Sequence, residues 1–197
     1  MNPITVPMGP LATNGYFYTL QNKNILIDPG ATTAEMLKVL DDFGEAVDAV
    51  ILTHGHIDHI MGLAGFSRRF PEVPVYLHAS DLQLYRNAPK QAALFGLPFD
   101  TLPERLSLLN DEGTSLLGFQ VLMTPGHSPG SLCLYDPENS ILFSGDTLFQ
   151  FGVGRTDLWG GSWEQLENSI KTKLFALPAE TSVFSGHGPG TTIGAEL

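Results

Sequence analysis

A single cysteine, Cys133, stands among 197 residues, so no disulfide can close within the chain and its fold cannot depend on oxidation. Positive charge is scarce too: ten Lys and Arg face 21 Asp and Glu, for a formal charge of −11. That field repels phosphate backbones and anionic membrane surfaces at long range, which argues against nucleic acid or a membrane as partner. Apolar residues make up 43% of the sequence, yet no uninterrupted run approaches the roughly 18 that a spanning helix needs. The opening MNPITVPMGP carries neither the basic stretch nor the apolar stretch of a secretion signal. These absences predict a soluble, cytoplasmic protein and leave its oligomeric state open. The length suits one hydrophobic core, and neither repeat nor low-complexity linker divides it, so a single domain over residues 1–197 is expected.

What is present reads as short strands with helices between them. β-runs are expected at Ile4 to Met8, Tyr16 to Leu20 and Ile25 to Asp28, the last two joined by the turn Gln21-Asn22-Lys23-Asn24. Thr32 and Glu35 have capping-box spacing, and Met36, Leu37 and Leu40 follow near helical period, so a helix should run from about 33 to 43 and stop near Gly44. A second helix should begin after Ser162, with Trp163, Leu166, Ile170 and Leu174 as its apolar stripe. Further strands are expected at 49–53, 75–78, 119–124, 131–135, 141–144 and 181–185. The stretch from Asn87 to Pro103 reads as an irregular surface excursion.

Four of these strands run into a residue of metal-ligand type. AVILT leads to His54 and His56, FQVLMT to His127, ILFS to Asp146 and VFS to His187, each beside a glycine that lets the chain turn. Loops beyond the carboxyl ends of strands are where sites assemble in layered α/β proteins. The densest segment is THGHIDH, residues 53–59, where His54, His56, Asp58 and His59 fall within six positions. Neutral imidazole and carboxylate are ligands that zinc and its neighbours prefer. With His127, Asp146 and His187 they make seven candidates, too many for one tetrahedral ion and enough for two, with a carboxylate such as Asp146 able to bridge. The sixth histidine, His78, has no such company and reads as structural, just before a cap at Ser80. Cys133, inside an apolar run, reads as an inert buried thiol. Tyr16, Phe149, Phe151 and Trp159 could line a pocket but fit core positions better. Arg155 could offer a forked donor to a substrate carboxylate or could pair with Asp157 to shape its loop.

The H-x-H-x-D-H segment at 54–59, followed in order by His127, Asp146 and His187, resembles the metallo-β-lactamase fold superfamily over nearly the whole chain. That resemblance implies an α+β fold, a four-layer αββα sandwich of two mixed β-sheets with outer helices. It also implies that His54, His56 and His127 hold one ion, that Asp58, His59 and His187 hold a second, and that Asp146 bridges. Within the superfamily the sequence is similar to glyoxalase II-like hydrolases, through LIDPG at 26–30, TPGHSPGS at 124–131, SGDTLF at 144–149, GRTD at 154–157 and GHGPGTTIG at 186–194. True β-lactamases usually lack the histidine after the aspartate and carry cysteine where Asp146 stands. The sequence ends ten residues after His187, which matches the short bacterial group without the helical domain of full-length glyoxalase II.

The implied activity is hydrolysis of a thioester of the hydroxyacylglutathione type, with a small molecule as partner. Asp58 and Asp146 would be the carboxylates of the reacting centre, and a hydroxide bridging two divalent ions would attack the carbonyl. Zinc is the first expectation for so nitrogen-rich a set, with iron or manganese as substitutes. Three alternatives remain at this stage: a persulfide dioxygenase with one non-haem iron on two histidines and an aspartate, a lactone hydrolase, and a non-catalytic metal-binding module.

Overall fold

The computed structural model describes residues 2–43, 46–110 and 113–197, which fall into two compact units, one through Leu109 and one from Asn110. The first is built on a six-stranded mixed sheet: β1 (Ile4–Met8), β2 (Thr13–Leu20), β3 (Lys23–Ile27), β4 (Ala49–Ile51), β5 (Val75–His78) and β6 (Ser107–Leu109), side by side in that order. β1, β2 and β3 pair antiparallel, and β3 to β6 are parallel. β3 and β4 lie in the middle, and Leu26, Ile27, Val50 and Ile51 are fully buried, which explains why these strands read as continuous rather than alternating apolar runs. Because β3, β4 and β5 run the same way, the residues just past their ends collect at one edge of the sheet.

Helices α1 (Thr33–Phe43), α2 (Ile57–Ile60), α3 (Leu63–Arg69), α4 (Leu82–Arg86) and α5 (Ala88–Phe95) occupy the connections. The predicted capping box of α1 forms in both directions: Glu35 N–H donates to Thr32 Oγ1, and Thr32 N–H donates to a Glu35 carboxylate oxygen, each at 3.3 Å. Met36 and Leu40 carry its buried face into a cluster with Leu26, Leu52, Ile60 and Phe66. The predicted stop at Gly44 lies outside the described residues.

The second unit is also a six-stranded mixed sheet, with neighbours in the order β14, β13, β10, β9, β8, β7. Its strands are β7 (Ser115–Leu116), β8 (Phe119–Met123), β9 (Leu132–Asp136), β10 (Ile141–Gly145), β13 (Ser182–Ser185) and β14 (Thr191–Thr192). A separate hairpin joins β11 (Leu148–Phe149) to β12 (Gly152–Val153). β8 and β10 both run antiparallel to β9, and β13 runs parallel to β10, so β8, β10 and β13 share a direction and end at one edge. Helix α6 (Trp163–Ser169) widens into a π-helical turn at Ile170–Leu174, and α7 (Ile193–Glu196) follows β14. Leu166, Ile170 and Leu174 pack with Tyr135, Leu142 and Val183. No helix among the described residues is long and apolar enough to cross a membrane.

Four local expectations change. The β2–β3 turn is two residues, not four: Gln21 and Asn22 both have positive φ, so Leu20 pairs with Lys23. β2 begins at Thr13 rather than Tyr16, because β1 offers partners to Thr13, Asn14 and Gly15 despite the low strand propensity of Asn and Gly. Trp163 leaves the predicted stripe; it opens α6 and is 57% exposed. The stretch from Asn87 to Pro103 is not wholly irregular, since α5 fills its first half, with Pro89 in the first turn and Gly96 closing it in the left-handed conformation.

Candidate metal centre

In the first unit β4 delivers its ligand-type residues where the sequence places them. Past Ile51 come buried Leu52 and Thr53, then His54; His56 is the N-cap of α2, and Asp58 and His59 lie on that helix. His54, His56 and His59 are buried, and Asp58 is partly exposed. The His54 ring stands 4.9 Å from that of His56 and 4.1 Å from that of His59, centroid to centroid.

Asp28, just past β3, organises this cluster. Its Oδ1 accepts from the Thr53 N–H (2.8 Å), while Oδ2 accepts from the Thr53 hydroxyl (2.6 Å) and from His59 Nδ1 (2.9 Å). A carboxylate only accepts, so the His59 proton sits on Nδ1 and the lone pair on Nε2. The same logic reaches His54. Thr53 spends its hydroxyl proton on Asp28, so its oxygen accepts from His54 Nδ1 at 3.0 Å, which again leaves the lone pair on Nε2. Ligand-type atoms of Asp28, His54 and His59 lie within 4.8 Å of one another. With both oxygens engaged, Asp28 supports ligands rather than acting as one. Asp28 holds φ at +50°, a conformation that an aspartate tolerates better than most residues and that favours a functional explanation. Two positions on, a Cβ on Gly30 would lie 2.1 Å from the Asp58 carbonyl oxygen, so only glycine allows this loop to press on the ligand segment.

Asp58 Oδ2 accepts from the Thr13 hydroxyl at 3.1 Å and stands 3.6 Å from His59 Nε2. That is too long for a hydrogen bond and close to the separation, about 3.3 Å, of two ligands on one tetrahedral zinc-sized ion.

The second unit brings together His127, Asp146 and His187, each past the end of β8, β10 or β13. Asp146 Oδ2 stands 3.5 Å from His127 Nε2 and 3.6 Å from His187 Nε2, again the spacing of neighbours around an ion. His127 Nδ1 donates to the Arg155 carbonyl at 2.8 Å, so its lone pair too is on Nε2. A Cβ on Gly154 would lie 1.9 Å from the Asp146 carbonyl oxygen and 3.1 Å from His127 Nδ1, so this loop closes on the ligands only as glycine. Phe149 turns an edge toward His187, with ring centroids 6.3 Å apart. Three imidazoles whose outer nitrogen is held by an oxygen acceptor, beside carboxylates at ligand spacing, fit divalent metal ions.

The remaining candidates sort clearly. Arg155 forms a two-armed pair with Asp157 (2.6 and 2.7 Å) on the surface, the loop-shaping arrangement, and this contact holds the Asp157 carboxyl down to about 2. His78 is itself the cap, accepting from Ser80 N–H at 3.3 Å, whereas Ser80 was the expected one. Burial pushes the Cys133 thiol up to about 11, as suits an unreactive core residue. Of the four aromatics expected mainly in the core, Tyr16 is buried and Phe149 partly so, but Phe151 and Trp159 are 84% and 56% exposed.

The sequence reading missed the roles of Asp28, Thr53, Thr13, Asp81 and Gln91. Two of them carried a usable signal: Asp28 and Asp81 follow β3 and β5 as His54 follows β4, so the rule that found the ligands extends to their supports.

The model of the metallo-β-lactamase superfamily matches residues 8–187. The chain belongs to this superfamily. Its two mixed sheets with helices are the α+β fold that membership implies. The probable metallo-hydrolase YqgX of Bacillus subtilis is 37% identical, over 95% of this chain and 90% of that protein. The hydroxyacylglutathione hydrolase of Haemophilus influenzae is 35% identical, over 100% of this chain and 95% of that protein. Among solved structures, TTHA1623 in a di-iron-bound form is 43% identical with a TM-score of 0.91, covering 100% of this chain and 96% of that one. The B3 metallo-β-lactamase BLEG-1 is 38% identical with a TM-score of 0.85, covering 99% and 96%.

Proposed function

We propose that the chain is a dinuclear metal hydrolase that cleaves an acyl thioester of the hydroxyacylglutathione type. One observation carries the metal reading: a single carboxylate oxygen, Asp146 Oδ2, stands at ligand spacing from both His127 and His187. In a superfamily with a di-iron-bound member, that supports Asp146 as the carboxylate shared by two ions. His54 and His56 would then serve the first ion with His127, and Asp58 and His59 the second with His187. The ions, when bound, polarise a substrate carbonyl and bring the pKa of a water down toward 7. The chain's own residues prepare this. Asp28, Thr53 and the Arg155 carbonyl fix the imidazole tautomers, and the Thr13 hydroxyl holds one oxygen of Asp58. Two ions against Asp58 and Asp146 leave the centre electropositive inside a chain of net charge −11, which suits an anionic small-molecule substrate.

The thioester rests on similarity to the Haemophilus influenzae enzyme, and the choice of zinc rests on the nitrogen-rich donor set. The single cysteine and the acidic balance suit the reducing cytoplasm. A metal count by mass spectrometry beside an S-lactoylglutathione assay tests the reading, with two ions per chain and thioester turnover expected. Fully metallated protein that leaves the thioester intact overturns the substrate assignment. A second reading, β-lactam hydrolysis, is supported by the similarity to BLEG-1, and turnover of a β-lactam in place of the thioester would favour it. One iron per chain with oxygen uptake on a persulfide would replace hydrolysis by oxygenation.

A further inference from the structure

The backbone between the candidate ligands is held by side chains from outside the ligand segment. Asp81, fully buried beyond the end of β5, accepts from the Gly55 N–H through Oδ2 at 2.8 Å. Gln91, on α5, accepts from the Ile57 N–H through Oε1 at 3.0 Å, and its Nε2 donates to the Gly55 carbonyl at 3.2 Å and to the Leu84 carbonyl at 2.8 Å. Both polar groups of the Gly55 backbone are therefore bound by side chains, and both protons of the Gln91 amide are used.

The Ile57 bond has a further consequence. Ile57 opens α2, and the first N–H groups of a helix have no partner within it. An N-cap side chain reaches the second or third of these N–H groups, not the first, and the imidazole of the N-cap residue His56 makes no capping bond. Gln91 supplies the acceptor for that first N–H from another helix, and it does so between His56 and Asp58, where the backbone carries ligand-type side chains on both sides.

We propose that Gln91, aided by Asp81, is a positioning residue that clamps residues 55–57 and thereby sets the affinity with which His54, His56 and Asp58 bind metal. This rests on the metal reading above. Outer residues that orient ligands typically change metal affinity by about 10–100-fold when removed, and a clamp acting on three neighbouring ligands belongs in that range. Ala93→Gly is the control: it weakens the same helix at an exposed position and leaves the amide in place.

The experiment uses the full chain, stripped of metal and titrated with Co(II) against a chromophoric chelator, together with amide hydrogen exchange on the metal-free protein. For Gln91→Leu, the Co(II) dissociation constant should rise at least about tenfold relative to Ala93→Gly, and the Ile57 amide should exchange at least about tenfold faster. Both changes are required, and either alone overturns the clamp. Should Gln91→Leu fail to fold, Gln91→Glu keeps the acceptor for Ile57 but loses both donors. It should weaken Co(II) binding by about threefold or more with Ile57 still protected, and a smaller loss or an unprotected Ile57 overturns the proposal. A parent protein that binds no Co(II) overturns the metal reading and the clamp with it; a parent that binds it while the variants match the control overturns the clamp alone.

Discussion

The two units furnish ligand-type residues in opposite ways. The first packs His54, His56, Asp58 and His59 into six consecutive positions and must then restrain a short, ligand-dense segment with Asp28, Thr53, Thr13, Asp81 and Gln91, drawn from several elements. The second takes one residue from each of three strand ends, where the sheet itself fixes the backbone, and main chain supports it at two points: the Arg155 carbonyl on His127 and the close pass of Gly154. Ligands concentrated in sequence need polar scaffolding from a distance, because neighbouring backbone groups in an irregular segment have no ladder to bond to. Ligands dispersed over strand ends inherit theirs from the sheet.

That contrast can be broken by mutation. The largest effect is expected in the second unit at the shared carboxylate: Asp146→Ala should cost about 1,000-fold or more in turnover, beyond the usual range for an outer residue, and lower the metal count measured by mass spectrometry. Unchanged turnover would end the dinuclear reading. Next comes the principal scaffold of the first unit. Asp28→Asn turns one of the two accepting oxygens into an amide donor, which then faces either the Thr53 N–H or the pair of Thr53 Oγ1–H and His59 Nδ1–H. Metal affinity should fall by about 10–100-fold in a chelator competition, although no ligand is altered.

A steric variant asks whether the second unit depends on its backbone as supposed. Gly154→Ala drives a Cβ against the Asp146 carbonyl, and the cost, about 2–4 kcal/mol, should appear as a lower denaturant midpoint together with reduced metal binding. The smallest effect belongs to the surface pair. Arg155→Ala removes the contact with Asp157 but keeps the carbonyl that His127 uses, so thermal midpoint and metal count should stay as in the parent and kcat/KM within about threefold. A raised KM at unchanged stability would instead give Arg155 the substrate contact that its position in the loop allows.

Strand ends were legible wherever an apolar run met a turn residue: β1 and β5 occupy their expected positions, and β4, β8, β10 and β13 end within two residues of them. The α1 capping box was legible because its bonds span three residues. The helix in residues 88–95 was not, since its short alanine-rich stretch has little periodicity and its purpose lies elsewhere, in the amide that Gln91 brings to Gly55 and Ile57. Trp163 misled for the opposite reason: it fits the period of α6 but sits at the helix start, before the apolar face turns inward.

The sequence by itself determined which residues can hold metal, because imidazole and carboxylate are the chemistry and their spacing in H-x-H-x-D-H is local. It also placed them beyond strand ends, since strand and turn are written in neighbouring residues. Only the tertiary structure decided which nitrogen of His54, His59 and His127 keeps its lone pair, that both oxygens of Asp28 are spent on Thr53 and His59, and that Gln91 accepts from the first N–H of a helix to which it does not belong. Those outcomes depend on hydrogen bonds between residues 25 to 36 positions apart, and no local pattern records a partner at that distance.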